Sequence, residues 1–236
     1  MCGRYVPPDE ASLTRFWRID RRNWPGWINP PFNIAPTLQV PIVLQADDGA
    51  FELLGARWGL IPSWWNRPAL PSLSFNARSE EAARKPMWRH SLREQRCLMP
   101  ARGWYEWNEQ EQTRNERGRK VHQPYYIHSI AGEVVAFAGL WSRWIGPDHL
   151  PVLSCALLSR DAAPSISAIH HRMPVVLKPE YYAHWMSVQT SEADIAAMMA
   201  DARQDFEGHA VSVRVNNVRN DGPDLIEPLR KDDLFG

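Results

Sequence analysis

Nine apolar, β-branched or aromatic segments follow one another with short polar stretches between most of them. They are "LQVPIVLQ" (38–45), "FELLGARWG" (51–59), "RCLMP" (96–100), "GWYEW" (103–107), "PYYIHS" (124–129), "EVVAFAGLWSRW" (133–144), "LPVLSCALLSR" (150–160), "MPVVL" (173–177) and "HAVSVRV" (209–215). Parallel neighbours need a crossover of a dozen residues or more, and most of these gaps are too short to hold a helix. The pattern therefore predicts an α+β fold, a mainly antiparallel, barrel-like β core flanked by helices. Asp47-Asp48-Gly49 marks a hairpin between the first two segments, and the polar run 108–120 reads as an exposed hairpin tip. Helices are expected at 9–18, from Ser79, at 161–169, at 179–186 and from Ser191. The Pro-rich stretch 21–32 reads as irregular. No repeat, linker or compositional break divides residues 1–236, which predicts one domain.

Lys+Arg and Asp+Glu both number 27, so the net charge is zero. That speaks against a broad electrostatic grip on nucleic acid but leaves room for a local basic groove. Three cysteines at 2, 97 and 155 form no disulfide framework and no metal-ligand spacing. The start of the chain has no signal-like apolar region, and no apolar stretch reaches spanning length. The expectation is a soluble cytoplasmic protein with no metal and no membrane partner. Walker and G-x-G-x-x-G loops are absent, so no cofactor is implied. Twelve tryptophans, several beside arginines, read from composition as packing residues, with a platform for unpaired bases as the alternative.

Residue 2 is ordinarily a frayed, tolerant position, yet it holds a cysteine in "MCGRY". With Met1 removed, Cys2 would carry a thiol and an α-amine on one carbon. An amine of pKa about 7.7–8.0 is partly free base at neutral pH. The thiol can attack an amide with the amine as base. Alternatively, the amine can condense with an aldehyde and the thiol can close a five-membered thiazolidine. Three more positions suit carbonyl chemistry. Glu106 shares a strand face with Trp104, where burial would raise its pKa. His170 precedes an apolar strand and could act as an acid. Asn76 could hold an amine or an oxyanion. Each has an ordinary structural reading too: an edge carboxylate, a rim histidine, a turn asparagine.

Taken in order, "MCGRY", "FNIAPT", "WGLIPSWW", "NARSE", "RCLMPARGWYEW", "FAGLW", "HHRMPVVL" and "VNNVRNDGPDLI" resemble the SRAP-domain family, the SOS-response-associated peptidases, from residue 1 to about 229. The resemblance implies covalent capture of abasic sites in single-stranded DNA. It implies Cys2 as nucleophile, Asn76 orienting its amine, Glu106 shuttling protons and His170 helping to open the sugar. It further implies DNA contacts at Arg4, Arg78 and Arg172, and an aromatic wedge of Trp64 and Trp65 beside Pro36. A monomer that acts near the replication machinery, and one basic face around Cys2, are expected on the same ground. Two positions depart from the family pattern, Arg102 and Ala163. Against this stands an N-terminal-nucleophile amidase or peptidase, which could also begin "MCG". Position 4 is Arg, however, and the chain contains no Asn-Gly dipeptide for an oxyanion site. A non-enzymatic single-strand binding module is the remaining alternative.

Overall fold

The structure, a computed structural model, describes residues 2–229 apart from Arg18, Ile28, Asp47, Pro68 and Leu73. Its elements in chain order are β1 (Arg4–Val6), α1 (Glu10–Phe16), β2 (Arg21–Asn23), β3 (Gln39–Gln45), β4 (Phe51–Trp58), β5 (Asn76–Arg78), α2 (Ser79–Ala82), α3 (Arg89–Glu94), β6 (Arg96–Ala101), β7 (Gly103–Arg114), β8 (Lys120–Ser129), β9 (Val135–Ile145), β10 (Pro151–Asp161), β11 (Arg172–Pro174), β12 (Val176–Leu177), α4 (Tyr182–Met186), α5 (Glu192–Ala200) and β13 (Phe206–Ala210). The expected α+β class is observed.

Strands β10, β4, β3, β6 and β9 pair in turn, and β9 pairs back to β10, so five strands close a ring. Most pairings are antiparallel; β10 with β4, β10 with β5 and β2 with β4 are parallel. The ring explains why "VVAFAGLW" and "LSCALL" lack clean polar alternation: both faces are buried. Val135 and Phe137 of β9, with Cys155 and Leu157 of β10, pack toward Tyr5 and Trp104. The alternate residues, Ala136, Ala138, Leu140, Ala156 and Leu158, pack beneath the helices with Leu13, Trp17, Leu92, Trp185 and Ile195.

A second sheet, in the order β1-β7-β8-β13, lies against this ring. Aromatic edges join the two: Tyr5 meets Trp58 and Phe137 at ring centroids of 5.3 and 5.9 Å, and Trp104 meets Phe137 at 5.9 Å. The outer face of this sheet is covered by residues 211–226, through Val211, Val215 and Leu225 packed on Val6, Tyr105 and Tyr126.

Local chemistry sets the helix starts. Asp9 accepts the Ser12 amide at 2.8 Å, and Ser191 accepts that of Asp194 at 3.1 Å. Three expected boundaries move. Residues 164–169 are successive turns rather than a helix, because Ile166 and Ile169 donate to carbonyls three residues back. The last strand ends at Ala210, and Ser212 caps a 3₁₀ turn over Val213–Asn216 by accepting the Arg214 amide. Strands β7 and β8 run far into the polar segment, leaving a tip of residues 115–119, with a bulge between Asn108 and Gln112. The irregular stretch expected at 21–32 contains β2, and the Asp47 of the expected turn lies outside the described residues.

Gly103 opens β7 where the neighbouring strand β8 crowds it. A Cβ there would stand 2.4 Å from the Ile127 carbonyl and 2.6 Å from the Tyr126 ring. Gly103→Ala is expected to cost about 1–3 kcal/mol, read as a lower midpoint in urea unfolding with an unchanged slope.

Candidate functional site

The first question is why residue 2 is ordered at all. Strand β1 pairs with β7, Arg4 opposite Tyr105 and Tyr5 opposite Trp104. On its other side Tyr5 exchanges two backbone hydrogen bonds with Ile34, at 3.2 and 3.1 Å. The Arg4 guanidinium then fastens the outer side. It donates to Asn33 Oδ1 at 2.8 Å and to the Val215 carbonyl at 2.7 Å, and lies over the Trp107 ring. Asn33 in turn donates to the carbonyls of Val215, Asn217 and Asn220. The start of the chain is thus tied to a turn some 210 residues away. Cys2 lies buried, and its thiol donates to the Arg4 carbonyl at 3.6 Å.

Three of the expected residues converge around it. Asn76, on β5, donates through Nδ2 to the Cys2 carbonyl at 2.6 Å. Its Oδ1 is buried and has no hydrogen-bond partner among the described residues. Strand β5 is held by its parallel pairing with β10 and by Trp58, whose indole donates to the Phe75 carbonyl at 3.0 Å. Glu106, on the Trp104 face of β7, is only 2 % exposed. Burial pushes its pKa up to about 7, with the positive chain terminus acting in the opposite direction. Burial, and then the Glu106 charge, drive the Cys2 thiol well above its ordinary value. The site can therefore hold and release a proton near neutrality, while its thiol stays protonated.

His170 completes the group. Its Nε2 stands 3.8 Å from Glu106 Oε2, and its Nδ1 lies 3.0 Å from both the amide and the carbonyl of Arg172. A neutral ring that accepts the Arg172 amide at Nδ1 carries its proton on Nε2, facing Glu106. Burial lowers the pKa of His170, which favours that neutral form. His171 stacks on it with centroids 4.4 Å apart. A cavity of about 130 Å³ opens beside the pair, between the 164–171 turns and Asn108–Gln110 of β7.

The remaining expected residues sit differently. Arg78, two residues past Asn76, is exposed, with Glu81 at 3.8 Å. Arg172 is almost buried and both its terminal nitrogens are engaged: Glu80 takes it bidentately at 2.8 and 2.9 Å, with Asp161 at 2.7 Å and the Ser159 carbonyl at 2.7 Å. Its guanidinium bridges the His170 turn, β10 and the start of α2. Trp64 is exposed, 6.0 Å from Trp65. The Trp65 carbonyl accepts from the Trp144 indole at 2.7 Å, and Arg67 lies over the Trp65 ring. Pro36 is half-buried and precedes Thr37, whose φ of 80° is unusual for a β-branched residue. Among the described residues no hydrogen bond or ring contact joins the Trp64–Trp65 pair to Cys2, Asn76, Glu106 or His170. Sequence reasoning missed Asn33, Glu80 and Asp161. Nothing local marks them; each matters through a partner distant in the chain.

Comparison with known proteins fits this geometry. A model of the family described as SOS response associated peptidase (SRAP) matches residues 1–218. The chain belongs to the SRAP family. It is 31% identical over 231 residues to the abasic site processing protein YoqW of Bacillus subtilis (strain 168), covering 96% of this chain and 99% of that protein. It is also 31% identical over 244 residues to the abasic site processing protein YedK of Escherichia coli (strain K12), covering 97% and 100%. Among solved structures, the fold is similar to that of a protein from Bordetella bronchiseptica, with a TM-score of 0.71, 22% identity and coverage of 90% of this chain and 100% of that one. No helix among the described residues is long and apolar enough to cross a membrane.

Burial of Glu106 makes a stability prediction. A carboxyl raised from 4.5 to about 7 contributes stability that is fully present below pH 4.5 and lost as pH rises through 7. The loss amounts to about 3 kcal/mol. Between pH 4.5 and 8, urea unfolding should show the wild type losing about that much more stability than Glu106→Gln.

Proposed function

We propose that the protein captures abasic sites in single-stranded DNA through Cys2, after removal of Met1, as a thiazolidine. The observation that carries this reading is the convergence of Asn76, Glu106 and His170 on a buried, anchored Cys2. The names of its relatives, abasic site processing proteins, point the same way.

The steps follow from the groups present. The abasic sugar opens to its aldehyde: protonated His170 gives its Nε2 proton to the ring oxygen as that C–O bond breaks, and the proton of the anomeric hydroxyl passes to Glu106. The freed α-amine of Cys2 adds to C1′, with Asn76 Oδ1, otherwise unpaired, accepting one of its hydrogens. Glu106, poised near neutrality, protonates the departing hydroxyl, and one water leaves as the C=N bond forms. The thiol then adds to C1′: a C–S bond forms, the C=N electron pair goes to nitrogen, and the thiol proton follows. The adduct is protein plus DNA minus one water. A protonated thiol suits this closure, because an iminium carbon is already strongly electrophilic. Attack on an unactivated amide asks for thiolate, which burial of Cys2 disfavours. That contrast favours the aldehyde reading over the amidase reading. Arg78 is the exposed phosphate contact in this scheme, and Trp64 and Trp65, beside Pro36, supply a stacking wedge. Arg4 and Arg172 act from behind, by holding the segments that carry Cys2 and His170.

Incubation with a single-stranded oligonucleotide bearing one abasic site, followed by denaturation and intact-mass measurement, tests this. The expected species is Met-less protein plus DNA minus water. Absence of any adduct from protein confirmed to begin at Cys2 overturns the proposal.

Two variants sharpen it. Glu106→Gln is expected to slow capture by about 10²–10⁴-fold in a quenched time course. Cys2→Ser keeps the amine but not the thiol, so its adduct should fall apart on heating and release nicked strand by β-elimination.

A further inference from the structure

The cations expected around Cys2 are largely engaged. Arg4 is held by a side-chain amide and backbone carbonyls, and Arg172 by two carboxylates. Unpaired cations gather instead on the other face of the β1-β7-β8-β13 sheet. There the β7–β8 hairpin stands away from the 3₁₀ turn at Val213–Asn216 and encloses two adjoining cavities of about 300 and 380 Å³. The two share Val121 and Asn216 as lining, so they form one groove.

Its walls carry Arg117, Arg119 and Lys120 on the hairpin side and Arg214 on the other. The first three are exposed, and among the described residues no carboxylate pairs with any of them, although Glu116 also lines the groove. Arg214 is paired with Asp224. At the base, the Trp107 indole donates to Asn216 Oδ1 at 2.6 Å, with Arg4 over its ring. These anchors fix the groove's floor and far wall. The groove also adjoins the site. Trp107 follows Glu106 on β7, and Asn108, at the start of the bulge, lines the cavity beside His170.

We propose that this groove binds the sugar-phosphate backbone of single-stranded DNA flanking the lesion, as a second contact region on the far side of the catalytic strand. Unpaired guanidinium and ammonium groups, amide side chains and an indole in one channel are the chemistry that tracks a phosphodiester backbone without reading its bases. The inference rests on the capture reading only in taking DNA as the polyanion.

The test uses Arg117→Ala/Arg119→Ala/Lys120→Ala in the full chain. The probe is a fluorescent oligothymidylate of about 20 nucleotides with no abasic site, titrated by anisotropy between about 50 and 200 mM salt. Three lost phosphate contacts should flatten the slope of log affinity against log salt by about 2, and weaken binding about tenfold at the low-salt end. The charge-keeping variant Arg117→Lys/Arg119→Lys should retain the wild-type slope, which separates charge from any fault in folding. A wild-type slope in the alanine variant overturns the proposal. So does a loss shared by both variants, or displacement of polyglutamate but not of oligothymidylate, which would make the groove a site for acidic peptides. Capture of an abasic site in a strand too short to reach the groove should be unaffected by the alanine variant. Wild-type protein that binds the long strand with the steep slope but never forms an adduct would sink the capture reading and leave the groove standing.

Discussion

The structure depends on how a chain end is made rigid. A three-residue strand at an N-terminus has few hydrogen bonds and much entropy to lose. Here Arg4 supplies what the strand lacks. Its donors close on Asn33 and the Val215 carbonyl, and Asn33 gathers three carbonyls of the same C-terminal segment. The motifs "MCGRY", "FNIAPT" and "VNNVRND" are thus one device, although they lie at opposite ends of the sequence. Charge-assisted bonds of this kind are strong. Cys2, just ahead of β1, can then face Asn76 of β5 and Glu106 of β7.

Burial does the electrostatic work. The same closure that orders Cys2 removes water from Glu106 and His170, pushing the acid up to about 7, where it exchanges a proton near neutral pH, and lowering the base, which favours its neutral form. Arg172 plays the complementary part at the rim. By spanning Glu80, Asp161 and the Ser159 carbonyl, it locks the His170 turn against the strand that leads from Asn76. Anchoring cations lie outside the pocket, and the titrating groups lie within it.

Much of this was legible beforehand, where the information is local. Continuous apolar runs marked the core strands, Asp9 and Ser191 marked helix starts, and the period-2 alternation of "WYEW" put Glu106 with Trp104. The ordered motifs identified the family that the comparison then showed. What escaped was non-local. The ring includes a parallel pairing of β10 with β4, and β5 joins it by another parallel pairing with β10, neither of which a turn signal announces. Polar residues 108–114 continue as strand because β8 pairs with them, overriding their weak propensity. The expected basic face around Cys2 could not be weighed, because sequence does not show which carboxylate or carbonyl each arginine meets.

The central claim is that the start of the chain is a fixed structural element and not a frayed end. Amide hydrogen exchange of the N-terminal peptide in the native protein measures this directly. The account predicts protection of Tyr5 and Val6 comparable with that of the paired residues of β7, slowing exchange by orders of magnitude relative to a free chain. Exchange at the rate of an unstructured peptide would contradict it, because Cys2 would then have no defined position among Asn76, Glu106 and His170.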